Sequence, residues 1–257
     1  MREYVVIHTI IFISTLVRAV FGFANALIAM ALFAMTGVAM EMATPLVALA
    51  SLVISVGILI TDWKHVHLSS IWHITIAALF GTGIGFLILR KVYHTQQHHL
   101  ATIKVGLALV IIVFSSYSLL KPTLRLKKHV GFAYLFGLAS GILGCLYNIN
   151  GLPFAMYATL EGWSQRWSTQ RFRATLQAYF LITNVFIILS HGFAKLQVLE
   201  AGTHFLISLP VIALAIAMGN SLHRMMPQGK FDRWLHLLLI LCGLLLLIRV
   251  FIFNSTN

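Results

Sequence analysis

Residues 101–120 (ATIKVGLALVIIVFSSYSLL) and 234–253 (WLHLLLILCGLLLLIRVFIF) are apolar almost without interruption and show no period-two alternation. Runs of this length dictate bilayer-spanning helices, because about 20 residues at 1.5 Å each cross a hydrocarbon core of roughly 30 Å. The missing alternation excludes a transmembrane β-barrel. Further full-length spans are expected at about 44–61, 69–90, 173–193 and 199–222. Only 9% of the 257 residues are charged, against roughly 25% in a soluble domain, so the chain reads as an all-α, polytopic membrane protein. The first apolar run lacks a basic n-region with a small-residue cleavage site and carries Arg18 inside it, so it is expected to belong to the mature fold.

The net charge of +12 lies in short loops between spans, where it reports topology rather than a nucleic-acid partner. Cys145 and Cys242 fall in apolar segments, which argues against a disulfide framework and a four-ligand zinc site. The histidine groups His65/His67 and His94/His98/His99 have no Cys, Asp or Glu at ligand spacing, so neither metal nor cofactor is expected. His73, His191 and His204 lie nearer the membrane and are candidates for a proton-linked cycle.

Two regions do not fit single spans. The first, 4–38, is too long and breaks near Gly22. The second, 130–160, contains GLASGILGCLYNINGLPFAMY, which puts Gly, Asn and Pro at a depth where lipid tolerates no exposed non-helical backbone. Leu16 to Phe23 laid over Leu138 to Cys145 matches a leucine and a glycine at an offset of 122, and a second match pairs Gly85 with Gly219 and Arg90 with Arg224. Two diverged copies of one unit are expected, 1–127 and 128–257. If each broken region enters and returns as a hairpin, eleven Lys and Arg fall on one side and five on the other; if each crosses once, the division is seven to nine. The positive-inside rule prefers the hairpin model. It predicts two inverted repeats, each a broken, re-entrant helix pair plus three transmembrane helices, with both termini outside and the loops 121–129 and 161–173 in the cytoplasm. Inverted repeats with discontinuous helices are the pattern of secondary transporters, whose substrates bind where unwound backbone faces a cavity.

Arg18 is the one cation well inside an apolar run; Arg249 lies close enough to a helix end to snorkel. Its planar fork suits an oxyanion, and the alternative role is tying helix-end carbonyls together. Gly22, Asn25, Asn148, Asn150 and Gly151 lie at the two breaks, where helix N-termini offer free N–H donors to an anion. Capping the interrupted helices is the simpler role for each asparagine taken singly. Pro153 fits the first turn of a helix beginning near Gly151. Thr175, Gln177 and Asn184 either line the cavity or join helices by hydrogen bonds. Gly81, Gly83, Gly85, Gly137 and Gly141 read as close-packing positions. All six acids fall in loops or near span ends, which disfavours a cation carrier or a carboxylate proton pump.

RAVFGFANALIAMAL, GLASGILGCLYNINGLPFAMY and RFRATLQAYFLITN together resemble the TauE/SafE sulfite exporter family over most of the chain. Ala19, Ala24, Ala31 and Leu152 depart from that family's usual glycines and prolines. The resemblance implies a permease that exports sulfite, C2 organosulfonates or related small anions, with Arg18, Gly22, Asn25, Asn150, Gly151, Pro153, Arg173, Thr175 and Asn184 as site or gate positions. Arg173, near the cytoplasmic end of its span, is expected to attract the anion or simply to mark topology. Expected partners are a small anionic substrate and the bilayer of the inner membrane, with a homodimer open to it. Carriers of other small organic carboxylate or sulfur anions form the alternative. A membrane-embedded enzyme or scaffold fits less well, since GxSxG, HExxH and paired intramembrane acids are missing.

Overall fold

A computed structural model describes residues 2–21, 25–94, 98–120, 130–194 and 198–225, with positions 240, 241, 243, 244, 247 and 248. Gly22, Cys242, the loop 121–129 and residues 226–239 lie outside the described residues. The elements are α1 (Arg2–Phe21), α2 (Asn25–Thr36), α3 (Met40–Asp62), α4 (Leu68–His94), α5 (His98–Leu120), α6 (Val130–Tyr147), α7 (Gly151–Leu160), the single turn α8 (Trp163–Arg166), α9 (Thr169–Phe193) and α10 (Val198–Met225). No strand occurs among the described residues. Five helices there are long and apolar enough to cross a bilayer: Met40–His65, Leu68–Lys91, Val130–Tyr147, Gln170–Phe193 and Val198–Gly219. Both broken regions break where the sequence is interrupted, and each leaves a short second arm. α2 and α7 reach only about 18 and 15 Å at 1.5 Å per residue, roughly half a hydrocarbon core.

Local signals set these boundaries. Gly37, at φ 86°, terminates α2, its N–H returning to the Phe33 carbonyl. Ser168 has extended backbone and accepts the Arg171 N–H at 3.2 Å, capping α9. Side chains take up three backbone carbonyls at the second break. The Leu146 carbonyl accepts from the Thr44 hydroxyl at 3.4 Å, the Cys145 carbonyl from the His191 ring N–H at 2.8 Å, and the Asn150 carbonyl from the Ser140 hydroxyl at 2.5 Å. Irregular backbone inside a membrane requires such partners. His191, a candidate for proton coupling in the sequence, therefore has a structural bond at the end of α6.

Helix neighbours repeat when the halves are exchanged. α1 packs on α10 as α6 packs on α4, α3 on α10 as α9 on α4, and α3 packs on α9. Contact register gives directions. Tyr4 meets His204 and Ala19 meets Gly219, so α1 and α10 run the same way. Gly137 meets Ile74 and Ala77, and Gly85 meets Ile142 and Cys145, so α4 and α6 do too. Ser55 bonds Gln177, whereas His67, beyond the end of α3, bonds Thr175, nearer the start of α9. That order makes α3 and α9 antiparallel.

The contacts of Gly85 and Gly219, which the sequence pairs, point to a different repeat offset. Gly85 packs on Ile142 and Cys145, and Gly219 on Leu16 and Ala19, which sets both pairs at an offset of 126. The leucine and glycine match at 122 differs from this by one helical turn. An offset of 126 lays Ser14 over Ser140 and Met30 over Met156, but Arg18 over Gly144.

The α4/α6 seam brings backbone against backbone. A Cβ on Gly141 would lie 2.0 Å from the Ala78 carbonyl oxygen, and one on Gly81 2.3 Å from that of Leu138. Small residues of this kind let membrane helices approach closely. Gly83, on the same helix, has no atom within 4 Å of such a Cβ and so has no packing role. Gly141→Ala is expected to destabilise the protein in detergent by about 1–3 kcal/mol through overpacking. Gly83→Ala should leave the unfolding midpoint unchanged or raised; equal effects from the two would contradict the seam.

Candidate functional site

α1 ends at the first break, and one turn before that end it directs Arg18 between α3 and α9. The side chain is 1% exposed. Its Nη2 donates to Ser55 Oγ at 2.9 Å and to Gln177 Oε1 at 2.6 Å, and its Nη1 to Asn25 Oδ1 at 3.4 Å. Ser55 lies in the central part of α3 and Gln177 in that of α9, so two antiparallel helices each contribute one acceptor. The Phe180 ring, one turn beyond Gln177, lies 4.8 Å from the guanidinium carbon, a cation–π contact.

These partners are all neutral. Among the described residues no carboxylate lies within ion-pair distance of Arg18, and its Nε has no hydrogen-bond partner. A second cation, Arg173, acts on it electrostatically. Burying an ion costs several kcal/mol even after relaxation, and bonds from a charged donor each return about 1.5–3. The hydrogen bonds hold the guanidinium in place without neutralising it.

The second break faces this cation. Asn148 has φ 56°, a left-handed position that Asn tolerates, and its Nδ2 donates to Ser51 Oγ at 3.4 Å. Asn25 Nδ2 donates to the same hydroxyl at 2.9 Å, so Ser51 joins the two breaks. Asn148 Oδ1 is buried without a partner among the described residues. Arg18, Asn25, Ser51, Asn148, Asn150 and Gly151 line one cavity, whose other walls include Leu27, Ile149, Leu152 and Phe180. Its volume is about 20 Å³, room for about one water.

The asparagines do not cap. Asn150 precedes α7 but makes no capping bond, and its amide donates instead to Thr183 Oγ1 at 2.7 Å. Asn25 is the first residue of α2 and spends both ends of its amide on Arg18 and Ser51. Pro153 lies in the first turn of α7, where a missing N–H is harmless. Gly151 is glycine because a Cβ there would come within 2.6 Å of the Phe180 ring.

The structure thus brings Arg18, Asn25, Asn148, Asn150, Gly151 and Gln177 together. It does not bring in Thr175, whose hydroxyl accepts the His67 backbone N–H at 3.1 Å and fastens the α3–α4 turn to α9. Asn184 is buried further along α9, with Oδ1 unpartnered among the described residues. Arg173 is half-buried outside the cavity lining, where the Asp62 carboxylate acts on it. Gly22 lies outside the described residues. Sequence reasoning missed Ser51, Ser55 and Phe180. The two serines, four residues apart within one apolar span, share a helix face and were the available signal.

A multi-pass helical bundle whose two broken helices meet at a buried cation beside an internal cavity is built as a membrane transporter, with no catalytic pair in the site. The chain belongs to the TauE/SafE sulfite exporter family: the family model "Sulfite exporter TauE/SafE" matches residues 7–246, nearly the whole chain. This is a family of membrane transporters of sulfur anions, not of enzymes. Among curated proteins and among solved structures, no match is found.

Since Ser55 and Gln177 share Arg18 Nη2 and bond each other at 3.0 Å, Ser55→Ala and Gln177→Leu are expected to be non-additive. A double-mutant cycle on unfolding in detergent should give a coupling of at least about 0.5 kcal/mol. Strict additivity would contradict the shared geometry.

Proposed function

We propose that the chain is a secondary transporter that exports a small sulfur oxyanion, sulfite or a C2 sulfonate, across the inner membrane by alternating access around the Arg18 cavity. The observation that carries this reading is a fully buried guanidinium held by neutral acceptors and left without a counter-charge among the described residues. An anion about 4 Å away would gain roughly 4 kcal/mol at an effective dielectric constant near 20, and the substrate supplies that charge. Asn25 and Asn148 offer amide groups beside it. At about 20 Å³ the cavity is smaller than any such anion, as expected of a closed conformation between two access states.

The inverted-repeat reading, 1–127 against 128–257, is supported by helix directions. α3 and α9 are antiparallel, α9 and α10 form a hairpin, and α10 runs with α1; hence α1 and α3 run the same way, and α2 must return between them. The same reasoning applied to α4, α6 and α9 reverses every direction in the second half. This is the re-entrant arrangement that the basic loops favour, with 121–129 and 161–173 in the cytoplasm and both termini outside.

Purified protein is expected to show a sulfite- or sulfoacetate-dependent rise in unfolding temperature. Arg18→Met should abolish that rise, lowering affinity at least about 100-fold for the roughly 3 kcal/mol lost with one partner of a buried ion pair. The ligand-free midpoint should stay level or increase, because an uncompensated charge has been removed. An unaltered sulfite response in Arg18→Met would refute the assignment.

A further inference from the structure

A second, larger cavity of about 450 Å³ opens among the N-terminal ends of α4 and α6, the C-terminal end of α7, and α8. Its lining is mainly polar and includes Ser69, Ser70, His73, Tyr157, Trp163 and Arg166. The rim is cationic. Arg166 lines it with Glu161 4.0 Å away, and Arg171 lies over the Trp167 ring at 5.1 Å, so among the described residues two guanidiniums stand against one carboxylate. Such a rim concentrates anions.

From this cavity a continuous stack of rings leads to Arg18. Trp163 lies 4.4 Å from Trp167, 5.5 Å from Tyr157 and 5.9 Å from Phe154; Phe154 lies 4.5 Å from Tyr179, and Tyr179 lies 6.1 Å from Phe180, the ring that covers the guanidinium. Resting on the transport reading above, we propose that this cavity is the substrate's vestibule on the basic-loop side. The stack Trp163–Phe154–Tyr179 closes it off from the Arg18 cavity, and α7 is the leaf that moves.

The construction of α7 supports this role. It is ten residues long and is bracketed by two left-handed positions, Asn148 at φ 56° and Gly162 at φ 71°, at its two ends. Short segments between such positions absorb hinge motion. At its first end a latch of hydrogen bonds joins Ser140 to both the Asn150 carbonyl and the Tyr179 hydroxyl. At the other end Arg166 donates to the Glu161 carbonyl. The plug is one-sided: at the offset of 126, Phe154 and Tyr157 correspond to Ile28 and Ala31 of α2. Equivalent positions in the two halves therefore present rings on one side and aliphatic groups on the other.

The test uses the full chain with both native cysteines replaced by alanine, Ser51→Cys as the reporter in the inner cavity, and methanethiosulfonate ethylsulfonate, a small anionic thiol reagent, applied to vesicles from either side. Trp163→Ala is expected to speed modification of the reporter at least tenfold from the basic-loop side and less than twofold from the other, while Trp163→Phe keeps the parent rate. A rate within twofold of the parent in Trp163→Ala, or acceleration from the opposite side, overturns the gate. If Trp163→Ala aggregates on gel filtration, Phe154→Leu is read by the same criteria. A separate variant, His73→Cys without the reporter, should be labelled from the basic-loop side alone; labelling from the opposite side, or from neither, overturns the vestibule. The readout needs no sulfite transport, so this labelling pattern in a protein that fails to bind sulfite would refute the substrate and leave the vestibule standing.

Discussion

The Arg18 guanidinium is the constraint on which the other parts of the site depend. A cation in the middle of a helical membrane protein has to be met by acceptors from several elements, and here they come from α2, α3 and α9 at once. Both breaks converge on it because only an interrupted helix can bring amide side chains and unwound backbone to that depth without leaving polar groups to lipid. Its acceptors hold it without cancelling its charge, and that residual charge is what the proposed anion site rests on.

The two halves use one plan to different ends. Each has a broken pair, and each packs its first arm on a long helix of the other half, but α6 carries no basic residue to match Arg18 of α1. Near the end of α6 Gly144 lies against Asn150 and Ile187. The division of mechanical labour is equally uneven. Backbone contact along α4 and α6 makes one stiff pair, whereas α7 hangs between two left-handed residues behind a wall of rings. A rigid seam beside a hinged half-helix lets a small rearrangement open one side of a cavity without dismantling the bundle.

Much of this was legible in the sequence, for physical reasons. Length and hydropathy leave no alternative to helices, and Gly, Asn and Pro within apolar runs locate the breaks, since lipid forbids such backbone elsewhere. The significance of Arg18 follows from the cost of its burial. Three things were not legible. The repeat offset was one, because Leu and Gly recur too often in membrane sequence to fix an alignment, and the contacts of Gly85 and Gly219 favour an offset one helical turn away. The asparagines read as caps because capping is a local role, and their true partners, Ser51 and Thr183, are distant in sequence. Phe180 reads as one more apolar residue until the fold lays it across the guanidinium. Thr175, which the sequence leaves open between lining the cavity and joining helices, fastens a turn, since helix periodicity gives a face without saying what the face meets.

The central claim is that an oxyanion completes the charge of Arg18. Crystals grown with selenite, the heavier analogue of sulfite, would test it through the anomalous scattering of selenium. The account predicts a peak in the cavity between the two breaks, with selenite oxygens about 3 Å from the Arg18 guanidinium nitrogens and Asn25 and Asn148 alongside. A saturated crystal with no selenium at Arg18, or with selenium bound only elsewhere, would contradict it.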